Sequence, residues 1–260
     1  MTASEPQPSI DGTRLGTERY LELLDADVEA LLAASDDLSR EVPSCPGWTV
    51  HDLLSHVIGV YRHKSEAMRT DAAPQAPAEG DWGTLAEGDD PRAVLREAYD
   101  ALREHLTARD VAATTWTWWP AEQTVGFWVR RMAQETAVHR WDAEAALHGA
   151  DAAGEIDDDL ATDGVDELLG WLRWDWTDVP QAAASGQRVL VSTGEHAWTV
   201  TLGETVVAVD GGAGEAGALL AGEPSAVLLE LWGRPAHGVA TGGDAAALGL
   251  LRERLAMVAS

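Results

Sequence analysis

The chain has 260 residues, 45% of them apolar and 24% charged, with 18 basic residues against 44 acidic ones and a formal net charge of −26. That composition supplies enough apolar material for a sizeable core, and its acidity repels phosphate backbones and anionic lipid, so nucleic-acid and membrane-surface partners are not expected. No run of about 18 apolar residues occurs, so no membrane span is expected; residues 1–12 also lack the basic start and apolar stretch of a secretory signal, which leaves the cytoplasm as the expected location.

Residues 1–12 read as a disordered tail. From about Thr13 to Leu38 the spacing of Leu21, Leu24, Val28, Leu31 and Leu32 predicts a first helix. Pro43–Gly47 reads as a turn. After it, Thr49 with Asp52 marks a helix start, and the second helix runs from about Val50 to Met68. Residues 71–90 form a polar, Pro- and Gly-bearing loop longer than most connections. Asp90-Pro91 opens a third helix to about Thr107. Residues 113–126 carry Trp116, Trp118 and Trp119 in loop or short extended structure, and a fourth helix covers Val125 to His148, with Gly149 as its cap. Four helices over 13–150 make a bundle. Residues 151–185 read as a linker with a connecting helix. The runs RVLVS, HAWTVTLG and TVVAVD then read as strands, followed by helices at about Pro224–Trp232 and Asp244–Val258. The fold class expected is α+β: a helical bundle, then a small α+β domain over 186–260.

The fourth helix places chemistry on one face. Glu135 and His139 project within about 40° of each other, and Asp142 returns to within about 20° of Glu135. A carboxylate and an imidazole one turn apart can share a divalent ion, with a third ligand drawn from another helix. His56, in the apolar stretch LLSHVIGV of the second helix, is the candidate. His63 lies in register with it as a backup ligand or supporting group, and His51 does not. A Glu-x-x-x-His pair alone is more often a surface pair than a metal site. Cys45 cannot form an intrachain disulfide and reads as a small, inert residue in its turn. Any thiol chemistry would then draw its thiol from a bound small molecule. The glycine-rich stretch at 211–217 lacks the P-loop pattern.

Two segments, CPGWTVHDLLSHVIGV and RRMAQETAVHRWDAEAA, resemble the signatures of the mycothiol-dependent maleylpyruvate isomerase family, DinB-like four-helix metalloproteins with a small C-terminal domain. VLLELWGRP and the later GGD are similar to that C-terminal domain. The resemblance implies His56, Glu135 and His139 as metal ligands, Asp142 as a catalytic residue near the metal, and Arg234 as a catalytic and cofactor-binding residue facing the site. It implies zinc or another divalent metal, with mycothiol as thiol cosubstrate. Gln134 stands where relatives often have histidine. For a further basic substrate contact, Arg62 and Arg69 are the nearest candidates.

Two histidines and a carboxylate leave a position open on a tetrahedral ion, which suits catalysis. The expected function is a metal-dependent enzyme using a low-molecular-weight thiol for cis–trans isomerisation or S-transfer on a small electrophile. The protein would act as a monomer or small homo-oligomer. A zinc-dependent hydrolase using metal-bound water, or a non-catalytic thiol- or metal-binding module, are the alternatives. Asp142 could orient His139, act as a base, or pair with Arg140 or Arg131. Trp48 is expected to pack the turn before the second helix; the three tryptophans at 116–119 could wall a pocket near the metal, while most of the 12 tryptophans read as core or domain-interface residues.

Overall fold

A computed structural model describes residues 12–78, 80–173 and 184–258. The tail expected over 1–12 therefore lies, except for Gly12, outside the described residues. The chain forms two compact units, one made of residues 16–154 and the other of residues 12–15 and 155–258.

The first unit holds α1 (Thr17–Ala33), α2 (Val50–Thr70), α3 (Pro91–Thr107) and α4 (Val125–His148), followed by a short 3-10 turn at Ala150–Ala152. Local chemistry sets the helix starts. Thr49 and Asp52 form a reciprocal capping box at α2, Asp90 caps α3 ahead of Pro91, and the Thr124 hydroxyl accepts from Phe127 N–H at α4. α4 ends at Gly149, whose φ of 87° suits a residue without a side chain. α1 packs chiefly on α4, and α2 on α3. The core between them is apolar, with Leu24, Val28, Leu31, Leu53, Val57, Leu95, Leu102 and Met132 all removed from water. Polar contacts fix the helices against one another. The Asp25 carboxylate accepts from Tyr99 and from Arg103 (2.9 Å), Arg140 donates to Asp27 at 3.1 Å, and the Tyr61 and Thr136 hydroxyls meet at 2.6 Å.

The second unit holds α5 (Asp158–Trp171), β1 (Gln187–Thr193), β2 (His196–Leu202), β3 (Val207–Gly211), β4 (Ala218–Gly222), α6 (Pro224–Leu231), β5 (Ala240–Gly243) and α7 (Ala245–Val258). The sheet runs β3-β2-β1-β4-β5. β1 and β4 are parallel, and the other neighbours are antiparallel. α6 and α7 pack on this sheet and α5 packs on α6. Val189 and Val191 alternate inward along β1, with Trp198, Val200 and Leu220 beside them. The buried Trp198 indole donates to Asp166 at 3.1 Å, which satisfies its N–H. β4 and β5 add two strands to the three read from the sequence. No helix among the described residues is long and apolar enough to cross a membrane.

Candidate metal centre

α2 and α4 bring His56, Glu135 and His139 together. One donor atom from each lies within 4.8 Å of the others, a cluster of the size that can hold one ion. Glu135 Oε1 is the common point, 3.1 Å from His56 Nε2 and 3.3 Å from His139 Nε2. Its second oxygen, Oε2, accepts from Arg131 at 3.0 Å, so the carboxylate is held in one orientation. His139 is fixed from behind: its Nδ1 donates to Asp142 Oδ2 at 3.0 Å. That bond leaves Nε2 as the ligating nitrogen of a neutral ring, the arrangement metal-binding histidines usually show. The one-turn spacing along α4 thus allows Asp142 to orient His139.

Asp142 is fully buried, and the turn before α2 closes over it. Its Oδ1 accepts from the Ser44 hydroxyl, and Cys45 Sγ lies 3.8 Å from Oδ2, within reach of a weak thiol bond. Of the two arginines weighed as its partner, Arg131 bonds Glu135, and Arg140 bonds Asp27 and Glu144.

The electrostatics fit a cation. Burial pushes the Glu135 carboxyl upward, yet bonds from His139 and His56 and the charge of Arg131 hold it well below the usual carboxylate range. Burial opposes a charged His139, but Asp142 and Glu135 outweigh that and lift it to about 9. The three candidate ligands are thus already arranged around a positive charge, with the proton on His139 Nε2 standing where an ion would sit. Two imidazoles and a carboxylate suit zinc among the divalent ions.

Of the three candidate ligands, His56 opens outward. Its side chain is 37% exposed, against 10% for His139, and it lines a cavity of about 1000 Å³ between α2 and the loop 81–89. Trp48 lines the same cavity with its ring 5.1 Å from the His56 ring, a role beyond packing the turn. The loop is pressed onto α2 at two glycines. A Cβ on Gly59 would lie 2.9 Å from Gly83 N, and one on Gly83 would lie 2.3 Å from the Ser55 carbonyl oxygen. Arg62 pins the loop further by donating to the Trp82 and Thr84 carbonyls at 3.2 and 3.1 Å. Gly83→Ala is expected to force the loop off the helix, lowering stability by about 1–3 kcal/mol. Urea unfolding, with limited proteolysis at 81–89, measures this.

The other residues singled out in the sequence make contacts of their own. His63 is not in the ligand cluster; its ring lies 5.7 Å from Trp82 and 6.1 Å from Trp116. Arg62 is bonded to the loop backbone, and Arg69 pairs with Glu66 at 2.6 Å; neither lines the cavity. Trp116, Trp118 and Trp119 do not line it either. Trp116 packs towards Trp128, and Trp118 against Phe127 and Trp119. Arg234 follows α6 in the second unit, where it donates to the Trp232 carbonyl at 2.9 Å and lies 5.9 Å over the Trp232 ring. The residues missed from the sequence are Trp82, Ser44 and Lys64, whose signals are tertiary.

Residues 21–144 match the family model described as the mycothiol maleylpyruvate isomerase N-terminal domain. The bundle belongs to this family. Among solved structures, the chain is similar to the mycothiol-dependent maleylpyruvate isomerase, with 14% identity, a TM-score of 0.62, and coverage of 88% of this chain and 95% of that one. A histidine-to-alanine mutant of that isomerase matches over the same shares, at 13% identity and a TM-score of 0.58. At these identities the likeness is one of fold. No curated protein matches the chain.

Proposed function

We propose that the chain is a metal-dependent enzyme of the cytoplasm that uses a small thiol, mycothiol, to act on a small electrophile, by cis–trans isomerisation of an activated double bond or by S-transfer. The observation that carries this reading is the three-donor cluster with one ligand, His56, opening on a cavity large enough for a small molecule. The family of the bundle supports the choice of thiol. A divalent ion held there would supply Lewis acidity, favouring the thiolate of a thiol that shares it.

The chain's own residues do the positioning. Arg131 fixes Glu135 and Asp142 fixes His139. Asp142 has both oxygens engaged by Ser44, Cys45 and His139, which favours a positioning role over that of a base. Trp48 and Trp82 give the cavity apolar walls that limit water around a nucleophile. Arg234 is proposed, on the family resemblance alone, to clamp a carboxylate of thiol or substrate.

Cobalt-substituted protein tests the reading. Mycothiol is expected to produce a new sulfur-to-cobalt absorption band that saturates with thiol, and turnover of an activated cis-alkene is expected only with the thiol present. A cobalt spectrum indifferent to mycothiol, or thiol-independent hydrolysis of an ester, would replace this reading with a metal-bound-water hydrolase.

A further inference from the structure

Lys64 is the single lysine of the chain; the other basic residues are all arginine. It is also the only lysine or arginine among the residues lining the cavity on which His56 opens. The ammonium lies 5.2 Å over the Trp128 ring and donates to His63 Nδ1 at 3.2 Å. Among the described residues, no carboxylate lies within ion-pair distance of it.

The cavity's own acids are mostly committed to the backbone. Asp52 accepts from Thr49 N at 2.8 Å, Asp81 from Gly83 N at 2.8 Å, and Asp89 from Ala86 N at 2.9 Å. In a chain with a formal net charge of −26, a largely desolvated cation without a carboxylate partner is a local exception that costs free energy unless something compensates it. An ammonium has three donors, and His63 takes one. Burial pulls Lys64 down to about 8, against the attraction of Glu135 and with the repulsion of Arg131. His63 is pushed down to about 4 by burial and by the Lys64 charge, so near neutral pH it is an uncharged acceptor.

We propose that Lys64 is the positioning residue that seats a carboxylate of the substrate in this cavity, with His63 steering its ammonium and the Trp128 ring beneath it. This rests on the reading of the cavity as the electrophile's site.

The single lysine gives a direct probe. The zinc-loaded full chain, labelled with ε-13C lysine, should show one lysine resonance that moves saturably with succinate, an unreactive dicarboxylate. By calorimetry, Lys64→Met should weaken succinate binding at least tenfold while keeping its zinc. Arg69→Gln removes the same charge from the exposed end of α2 and should bind succinate as the parent does. The proposal is overturned by a lysine signal that ignores succinate, by one that answers inorganic phosphate alone, by unchanged binding in Lys64→Met, or by an equal loss in Arg69→Gln. A lysine that responds to succinate beside a cobalt centre that ignores mycothiol keeps the seat and removes the thiol reading. The reverse pattern keeps the thiol reading and removes the seat.

Discussion

Replacing His56 by alanine is expected to lower zinc affinity by about a hundredfold or more and to abolish stoichiometric loading at micromolar metal, since one of the three ligands is gone. The side chain is 37% exposed, so its removal leaves no cavity in the core, and the thermal unfolding of the metal-free variant should stay close to that of the parent. His63→Ala is the informative companion. It removes a histidine two helical turns further along α2 that faces Trp82 rather than the cluster, and it should keep one ion per chain. Full zinc stoichiometry in His56→Ala, measured by atomic absorption after gel filtration, would refute the centre.

The second large effect concerns Asp142. Asp142→Ala leaves the His139 Nδ1–H and the Ser44 hydroxyl without their acceptor in a fully buried position, at a cost of about 1–3 kcal/mol. Zinc affinity should fall about 10- to 100-fold as the His139 ring loses its orientation. Asp142→Asn should recover most of the stability, because its carbonyl can still accept from His139, and less of the affinity. The metal-free protein should also show a pH signature. His139 is raised from about 6.5 to about 9, so its contribution to stability is fully present below about pH 6.5 and is lost as pH rises through about 9. Asp142→Asn should flatten that decline, as should saturating zinc, which displaces the proton. Urea midpoints at several pH values measure both.

The parts of the fold legible from sequence are those with local causes. The capping pair Thr49 and Asp52 and the Asp90-Pro91 step marked the starts of α2 and α3, and Gly149 marked the end of α4. β4 and β5 escaped because Ala218–Gly222 contains no β-branched residue, and Ala240–Gly243 is short and half glycine. The clustered trio was legible because an i, i+4 pair and a histidine in an apolar helix are both local patterns. The rest of the site was not. Ser44 reaches Asp142 across 98 positions of chain, and the cavity exists only because the loop folds back onto α2 at Gly59 and Gly83. The tryptophan cluster at 116–119 drew attention by its density, whereas the cavity is walled by the isolated Trp48 and Trp82.

The anchoring of that loop bears on what the protein can admit. Arg62 and His56 stand on the same helix, and Arg62 grips the loop through two of its carbonyls. One wall of the cavity and one candidate metal ligand therefore share a rigid support. Widening the chamber would mean breaking those bonds and parting two backbones already in contact at Gly83. Bulk directed at this wall should then be refused, whereas a lengthened homologue of a good ligand has to run out through the cavity's open side, so that branching and not chain length is what the chamber rejects.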